Sequence, residues 1–393
     1  MSVLNNIRVL DFGRFIAGPF CAALLGDLGA EVIRVEKVDG SEDRFTSPVG
    51  ANSTGAGYLQ LNRNKLGLTL NPRKPEGQEI MKKLVSNADV VVANLPPDTL
   101  KSMGMDYESL RQIKPDIILT TTTAYGSSGP YATRVGFDGV AQAMSSNMHM
   151  TGYADEPMKN YNPYVDFQTA TLNALSTVAA IMHRNQTGEG QHVEGALLAS
   201  ALTVANGTLI EQHYLNVNRE GTGNRGQTTA PSDAFPTKDG WVLVQTVGNP
   251  IYERWANLMG ESEWLDQSKY GDDLLRGERA EEISARMRKW TESRTTKEVL
   301  KELDEARIPC GQVLNPQEVL EHEQVAAMGF LQDTEYPGLD TPAPVARMPM
   351  NFSSIDNSIK RRAPTLGEHT DEILQNLGYD ADQIRELRAH RVV

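Results

Sequence analysis

A turn bounded by two glycines near the start of the chain is the first place where residue types and spacing suggest chemistry. Residues 13–18 read GRFIAG and follow an apolar segment that ends at Phe12. A second apolar segment ends in Glu36, where a dinucleotide-binding fold carries the acid that holds a ribose. The dinucleotide fingerprint G-x-G-x-x-G lets the backbone approach a pyrophosphate. Here Gly13 and Gly18 enclose four residues that include a bulky Phe and Ile, so we expect no NAD or FAD site.

Other short catalytic motifs are missing from the sequence. The chain has no phosphate-binding G-x-x-x-x-G-K-[ST] segment, no G-x-S-x-G and no paired C-x-x-C. His322 and Glu323 begin an H-E-x-x-H pattern, but no second His follows at the required spacing. These absences leave the nucleotide-hydrolase, serine-hydrolase and zinc interpretations without support, and we expect no metal site.

A carboxylate at the start of a long helix is the remaining candidate for chemistry. Asp166 precedes a predicted helix that extends to about His183. An aspartate at this position is most often an N-cap, which stabilises a helix by about 1 kcal/mol. The helix dipole also favours the ionised carboxylate that a nucleophile needs. The residue pattern therefore leaves both roles open.

The elements that must position these residues alternate between strand and helix. This alternation predicts an α/β fold with a parallel sheet. The segment ADVVVA reads as a strand buried on both faces. We predict a loop over residues 39–57. The predicted strands cover residues 7–12, 31–35, 65–70, 88–93 and 117–122, and the predicted helices cover 19–28, 76–86 and a segment ending at 110–113.

The second half of the chain predicts a helical region and then a smaller α/β unit. A short strand at 191–194 precedes an apolar helix over 196–215, and a segment rich in Gly, Thr and Asn reads as a linker. Thr295 and Glu298 form a capping box, and Asp380 and Gln383 form a similar pair. The further predicted elements are a strand within DGWVLVQTV, a strand at 309–313, and helices at 252–259, 279–291, 371–377 and 381–389.

Composition limits the class of protein. The chain has 393 residues, a formal net charge of −13 and two cysteines, Cys21 and Cys310. The acidic balance argues against nucleic acid or an anionic membrane as the partner, although a local basic pocket remains compatible with it. No apolar run reaches the length of a membrane span, and no signal-peptide pattern is evident. We expect a protein of the reducing cytoplasm.

Five separated segments resemble signatures of the class III coenzyme A transferases. This family includes formyl-CoA:oxalate transferase and carnitine CoA-transferase, and the α-methylacyl-CoA racemases belong to the same superfamily. The resemblance extends in the family's order from residue 7 to residue 393. The segments are VLDFGRFIAGPFCAALLGDLGAEVIRVEK, ADVVVANLPPDTLKSMGM, YGSSGPYATRVGFDGVAQAMS, TGEGQHVEG and PTLGEHTDEILQNLGY.

The resemblance implies a domain organisation. A large Rossmann-like domain is expected over residues 1–215, completed by 330–393, with a linker at 216–230 and a small α/β domain at 231–329. Two chains are expected to interlock as a homodimer. Coenzyme A is expected to lie between the large domain of one subunit and the small domain of the other.

The resemblance also implies a nucleophile. Asp166 matches the aspartate that attacks an acyl-CoA thioester, giving a mixed anhydride and then an aspartyl-CoA thioester. The partners would be an acyl-CoA donor, for which we expect succinyl-CoA, and a free carboxylic acid acceptor. Backbone N–H groups near residues 16–18 and 248–249 would stabilise the developing oxyanion. The expected substrate contacts are Ile16, Asp138, Gly248 and Asn249.

Coenzyme A carries phosphates, so its site requires cationic side chains. Two positions depart from the family pattern, because Val38 stands where a basic residue is common and Ser102 stands where formyl-CoA transferase has Arg. The contacts that the resemblance implies for coenzyme A are Phe15, Ile16, Ala17, Lys37, Leu70, Arg73, Asn94, Leu95, Lys101, Met103, Arg134 and Phe137.

One tripeptide separates the transferase interpretation from the racemase alternative. The racemases carry a G-H-D motif whose His exchanges the α-proton of the substrate. This chain has Gly136-Phe137-Asp138, and a phenylalanine cannot exchange a proton. Formyl-CoA transferase has Gln at the position of Ile16, so exchange between formate and oxalate is also disfavoured. The residues leave the acid pair open.

Overall fold

A computed structural model describes residues 2–50 and 54–393. The chain forms two compact units. The first unit comprises the chain up to Ser145 together with 160–209 and 326–393, and the second comprises 146–159 and 210–325. Within the described residues, no helix combines the length and apolar character needed to cross a bilayer.

The strands, in chain order, are β1 (Arg8–Asp11), β2 (Glu31–Glu36), β3 (Lys65–Thr69), β4 (Val90–Ala93), β5 (Ile118–Thr123), β6 (Gly152–Tyr153), β7 (Glu156–Pro157), β8 (His192–Ala196), β9 (Ser232–Pro236), β10 (Trp241–Gln245), β11 (Cys310–Gln312), β12 (Leu331–Thr334) and β13 (Ala343–Ala346).

The α-helices are α1 (Ala17–Asp27), α2 (Ala56–Leu61), α3 (Pro75–Ser86), α4 (Pro97–Ser102), α5 (Tyr107–Ile113), α6 (Asp138–Met144), α7 (Asn147–Met150), α8 (Tyr164–Thr187), α9 (Leu197–Leu215), α10 (Asn249–Met259), α11 (Gln267–Tyr270), α12 (Asp273–Glu278), α13 (Ala280–Thr291), α14 (Thr296–Glu305), α15 (Pro316–Glu321), α16 (Glu323–Ala327), α17 (Thr370–Asn376) and α18 (Ala381–Ala389). Short 3₁₀ helices cover Glu42–Phe45 and Ser262–Leu265.

The first unit is built on a six-stranded sheet in the order β3-β2-β1-β4-β5-β8. All five strand pairs are parallel. Every residue of β4 is buried, as the unbroken apolar run in its sequence predicts for a central strand. The predicted α/β fold with a parallel sheet is therefore confirmed.

Both faces of this sheet are covered, because successive side chains of a strand point to opposite faces. Leu10, Ile33 and Val91 belong to one core cluster, which also contains the chain's last two residues. Val9, Val32 and Val90 belong to another cluster, together with apolar side chains of α1 and α8. The backbone N–H of Asn71 donates to the carbonyl of Val392 at 2.7 Å. The C-terminal segment therefore packs against the sheet of the first unit, to which it belongs.

Two parts of the first unit differ from the predicted elements. The segment predicted as a loop over 39–57 contains a 3₁₀ turn and the start of α2, and its residues 51–53 lie outside the described part of the chain. The predicted helix at 19–28 begins at Ala17, because Pro19 is accommodated in the first turn.

The second unit has a three-stranded antiparallel sheet in the order β11-β10-β9, and its helices include α10 to α14. Alternate side chains of β10 are buried, and Val242 and Val244 join a core around Trp255. The predicted capping box of Thr295 and Glu298 is confirmed at the start of α14.

The second unit also contains residues 146–159, which the sequence analysis assigned to the large domain. These residues form the hairpin β6–β7, and Tyr153 of the hairpin forms a bridge with Thr222. The segment expected to be a linker at 216–230 is partly packed, because Ala230 lies in the core of the unit. Pairing between distant segments, which local composition does not reveal, therefore sets this boundary.

Candidate active site

The two glycines of the 13–18 turn are required by close packing. A Cβ atom on Gly18 would lie 2.8 Å from the Cα of Gly13, and one on Gly13 would lie 2.6 Å from the Cδ of Pro19. Both distances are shorter than van der Waals contact allows. The glycines thus let the turn fold against the start of α1, which explains a spacing unlike that of the dinucleotide fingerprint.

Asn94, directly after β4, holds this turn. Its Oδ1 accepts from the backbone N–H of Arg14 at 2.6 Å, and its Nδ2 donates to the Arg14 carbonyl at 2.7 Å. The next residue, Phe15, has a φ of 58°, in the left-handed region that bulky side chains avoid. Such a conformation costs on the order of 1–3 kcal/mol and persists where surrounding contacts impose it. The clamp by Asn94 provides contacts of this kind.

A buried ionic network supports the turn from below. The Asp11 carboxylate accepts from the N–H of Gly13 at 2.8 Å and from Nζ of Lys65 at 2.7 Å. Arg34 donates to the carbonyl of Gly13 at 3.1 Å and to Asp43 at 2.7 Å. Burial lowers the pKa of Lys65 to about 8. We did not predict this network from the sequence, although three strands that are otherwise mostly apolar each contain a charged residue that belongs to it.

Glu36 is engaged by an internal partner. Its carboxylate is buried and accepts from the guanidinium of Arg44, whose Nε lies at 3.2 Å. The acid that would hold a ribose in a dinucleotide-binding fold therefore serves the fold of this chain.

Asp166 lies in the first turn of α8, two residues after its first residue, Tyr164. The N-cap role that the sequence left open for Asp166 is wrong, because the helix begins before it. The helix start is held by Asp138, whose Oδ2 accepts from the backbone N–H groups of Val165 at 2.7 Å and Asp166 at 3.1 Å. Asp138 is the first residue of α6 and is buried. A carboxylate distant in sequence thus caps the helix that carries Asp166.

The Asp166 carboxyl group is electrostatically unusual. Burial, and then the neighbouring charge of Asp138, raise the pKa of Asp166 to about 7 from an ordinary value of 3.8. No hydrogen bond from the described residues reaches its side-chain oxygens. A carboxylate without donors in a half-buried position is poorly stabilised, and such a group is a stronger nucleophile than a solvated one.

A cavity of about 270 Å³ in the first unit contains Asp166. Its wall combines apolar side chains with the polar Thr122 and Thr123 and the cationic Arg14 and Arg134. The cavity brings together Asp166 and these residues predicted to bind coenzyme A or substrate: Phe15, Ile16, Ala17, Asn94, Leu95, Arg134 and Phe137.

Five of the residues predicted to bind coenzyme A lie outside this cavity. Lys37 is exposed and pairs with Glu42, and Arg73 and Lys101 are also exposed. Leu70 belongs to the core cluster of the first unit, and Met103 packs against that cluster.

The three remaining predicted substrate residues also lie outside the cavity wall. Asp138 is positioned behind the start of α8, as described above. Gly248 belongs to the second unit, where its N–H donates to the Asp273 carboxylate at 3.0 Å. Asn249 accepts from Arg276 at 2.9 Å through its Oδ1. Both residues of this loop are therefore engaged within their own unit.

Two further observations concern histidine and metal-binding groups. The cavity wall carries Phe137 where a racemase would present a histidine, and no histidine is among its lining residues. In the part of the chain that the structure describes, no group of three or more His, Cys, Asp or Glu side chains is arranged to hold a metal ion.

The sequence is similar to characterised proteins over its whole length. It is 32% identical to the succinyl-CoA–L-malate CoA-transferase beta subunit of Chloroflexus aurantiacus, covering 99% of this chain and 98% of that protein. It is 33% identical to the human succinyl-CoA:glutarate CoA-transferase, covering 99% of this chain and 90% of that protein.

The fold is similar to solved structures. A CAIB/BAIF family protein from Brucella suis has a TM-score of 0.85 at 29% identity, covering 96% of this chain and 99% of that one. A hypothetical protein from Mycobacterium tuberculosis has a TM-score of 0.81 at 26% identity, covering 95% and 99%. Residues 4–370 match the family described as CoA-transferase family III. The chain therefore belongs to CoA-transferase family III and is a CoA-transferase.

Proposed function

We propose that this enzyme moves coenzyme A between two carboxylic acids, with Asp166 as the nucleophile. The observation that carries the proposal is the Asp166 carboxyl group, which lines the cavity, accepts no hydrogen bond from the described residues and has a raised pKa. The names of the relatives support the same reaction class, since they pair succinyl-CoA with malate or glutarate. We propose succinyl-CoA as the donor and a dicarboxylic acid as the acceptor.

The reaction would proceed through three covalent states of the enzyme, which are two mixed anhydrides and one thioester. Asp166 attacks the thioester carbonyl, the C–S bond breaks, and a mixed anhydride and the coenzyme A thiolate form. The thiolate then attacks the carbonyl carbon of Asp166, which releases the first acid and leaves an aspartyl-CoA thioester. The acceptor carboxylate attacks this thioester, and the freed thiolate attacks the acceptor's acyl carbon in the second anhydride. Asp166 is thereby regenerated as a carboxylate.

Backbone groups near the turn would stabilise the oxyanion of each tetrahedral state. Helix α1 has no side-chain cap within the described residues, so the N–H groups of Ala17 and Gly18 in its first turn remain as candidate donors. Both residues lie beside or in the cavity wall that contains Asp166. We assign Ile16 to the substrate contact. The Gly248–Asn249 loop of a second subunit is the other candidate for oxyanion contact, and its Gly248 N–H would have to leave Asp273 to make that contact.

The nucleotide end of coenzyme A would lie along the carboxyl edge of the parallel sheet. Ligands of open α/β sheets bind at this edge, outside the ends of the strands. Lys37 follows β2, Leu70 and Arg73 follow β3, and Lys101 and Met103 follow β4 through α4. The cationic side chains among them would hold the phosphates, and the backbone of Leu70 and Met103 would lie beside the adenine, because both side chains pack into or against the core. Asn94, Leu95 and Arg134 would line the path of pantetheine, and Phe137 would lie where that path reaches Asp166. In this proposal coenzyme A is a co-substrate, and the reaction uses no metal, NAD or FAD.

A second copy of the chain would complete the enzyme as an interlocked homodimer. Helix α8 and the part of α9 within the first unit expose six large apolar side chains, and soluble monomers rarely leave so much apolar surface uncovered. These side chains are Leu172, Leu175, Met182, Leu202, Val204 and Leu209. We further propose that the enzyme works in the cytoplasm, consistent with its two free cysteines.

The test is an exchange assay read by mass spectrometry. Purified enzyme is incubated with succinyl-CoA or acetyl-CoA and a panel of free acids, and new coenzyme A esters are identified. Wild-type enzyme should form new esters, and Asp166→Ala should form none. The racemase alternative predicts instead that the α-proton of a 2-methylacyl-CoA exchanges in D₂O. Such exchange without ester transfer would overturn the proposal.

A further inference from the structure

Two phenylalanines meet in the wall of the cavity that contains Asp166. The ring centroids of Phe15 and Phe137 are 5.7 Å apart and the ring planes are 89° apart, an edge-to-face arrangement. Such pairs contribute roughly 0.5–1.5 kcal/mol beyond the area they bury. The two rings come from different elements, the 13–18 turn and the residue before α6.

Each ring is attached to a group that the fold holds firmly. Phe15 takes its left-handed φ of 58° next to Arg14, whose backbone N–H and carbonyl are both bonded to Asn94. Phe137 precedes Asp138, whose carboxylate binds the start of α8. The aromatic pair is therefore fixed relative to the helix that carries the nucleophile.

The rings remain substantially exposed in spite of this fixation. Phe15 is 42% exposed and Phe137 is 62% exposed, although the fold imposes a strained backbone to place the first. A ring whose purpose is core packing is buried, as Phe12 is at 2% exposure. Both rings belong to the cavity wall, where they can contact a ligand that enters beside Asp166.

The cavity is small for a ligand site. Its volume of about 270 Å³ lies below the roughly 300–1,000 Å³ that ligand pockets usually offer. Aromatic rings carried on firmly held backbone narrow a small cavity and can therefore discriminate between acyl groups by size.

We propose that the Phe15–Phe137 pair is a specificity determinant that restricts the acyl group transferred by this enzyme to short chains. The proposal rests on the proposed CoA-transferase function and narrows its substrate class. The rings would close the space beyond the reacting carbonyl, so that a longer acyl chain would collide with them.

The experiment measures kcat/KM for succinyl-, glutaryl-, adipyl- and suberyl-CoA with one fixed acceptor acid. Wild-type enzyme should lose efficiency steeply along this series. Phe15→Ala and Phe137→Ala should each raise the suberyl-to-succinyl ratio by about tenfold, the effect expected when a hydrophobic pocket is enlarged. The double variant should gain less than the product of the two single effects, because either truncation already opens the pair.

Three variants separate the ring from other effects. Phe45→Ala removes a phenylalanine that is also 42% exposed but lies outside the cavity wall, and the ratio should stay unchanged. Phe15→Gly removes the ring and also the backbone strain, so it should match Phe15→Ala in acyl selectivity while differing in stability. Phe137→Leu keeps an apolar side chain and serves if Phe137→Ala fails to fold.

The outcomes distinguish this inference from the proposed function. Wild-type enzyme that transfers coenzyme A but treats suberyl-CoA and succinyl-CoA alike would overturn the inference and leave the function standing. An unchanged ratio in both Phe15→Ala and Phe137→Ala would also overturn it. Wild-type enzyme that transfers no acyl group to any acid would instead overturn the proposed function.

Discussion

The carboxylate of Asp138 caps the helix that carries Asp166, with its Oδ2 at 3.1 Å from the backbone nitrogen of Asp166. The same carboxylate places a negative charge beside the Asp166 side chain and contributes to a pKa of about 7. Asp138 therefore holds the backbone of the proposed nucleophile and, after burial, is the second cause of its raised pKa.

Replacing Asp138 by Asn should shift the pH profile of the reaction. Asp166 attacks as a carboxylate, so wild-type kcat/KM should rise with pH and level off above about 7. Asp138→Asn keeps an oxygen for the helix N–H groups and removes the charge, so the rising limb should move to lower pH. Asp106→Asn is the matched control, because Asp106 caps α5 outside the cavity. If the rising limb of the pH profile stays at the same pH in Asp138→Asn, the charge of Asp138 does not affect the ionisation of Asp166.

Replacing Asp166 by Asn should stabilise the protein relative to wild type, and this stabilisation should increase with pH. The folded state raises the pKa of Asp166, so the native state binds more protons than the unfolded state between about 4 and 7. Wild-type stability therefore falls as pH increases through this window. After allowance for partial solvent screening, the free energy of unfolding of Asp166→Asn should exceed that of wild type by roughly 1–2 kcal/mol more at pH 8 than at pH 4. Denaturant titrations at the two pH values measure this difference, and a constant difference would oppose it.

Removing the Asn94 clamp should release the strained turn. Asn94→Ala loses both hydrogen bonds to Arg14, which should lower the free energy of unfolding by about 1–3 kcal/mol and reduce kcat/KM. Asn87→Ala is the control, because its exposed amide makes a single bond, to the Lys83 carbonyl. Thermal unfolding and steady-state kinetics give the two readouts. Equal effects of the two substitutions would show that the clamp has no special role.

Two lysines should separate folding from binding. Lys65 is buried and bonded to Asp11, so Lys65→Met leaves the buried Asp11 carboxylate with the Arg34 guanidinium at 3.8 Å and should cost about 3 kcal/mol of stability. Lys37 is exposed, so Lys37→Met should change stability by less than about 0.5 kcal/mol and instead raise the KM for acyl-CoA. Unaltered KM in Lys37→Met would remove Lys37 from the proposed coenzyme A site.

A charged side chain among the exposed apolar residues of α8 should prevent dimer formation. Leu175 is 66% exposed on α8, and a glutamate there would be buried without a partner in the proposed homodimer. Light scattering should report a dimer for wild type and a monomer for Leu175→Glu. Lys82→Glu, on the exposed side of α3, should leave the mass unchanged. A monomeric wild type would contradict the proposed assembly.

Local sequence patterns predicted much of the fold, because strand burial and helix starts depend on residues that are close together in the sequence. The run VVVA specified the buried strand β4, and the capping pairs Thr295–Glu298 and Asp380–Gln383 fixed the starts of α14 and α18. The resemblance to class III coenzyme A transferases located Asp166 and seven other residues that share its cavity.

Other features depend on partners far apart in sequence, and local patterns do not reveal such partners. The cap of α8 comes from Asp138, 28 positions before Asp166. The left-handed Phe15 follows from hydrogen bonds to Asn94, 80 positions after Arg14. Helix α6 begins at Asp138, in a segment for which we predicted no helix.

Chemical trapping of the aspartyl-CoA thioester would test whether Asp166 is the nucleophile. Enzyme is mixed with succinyl-CoA, quenched with hydroxylamine and digested, and the peptide containing Asp166 is sequenced by mass spectrometry. We expect a hydroxamate on Asp166 that forms only when acyl-CoA is present. Transfer activity accompanied by an unmodified Asp166, or by a hydroxamate on a different carboxylate, would contradict it.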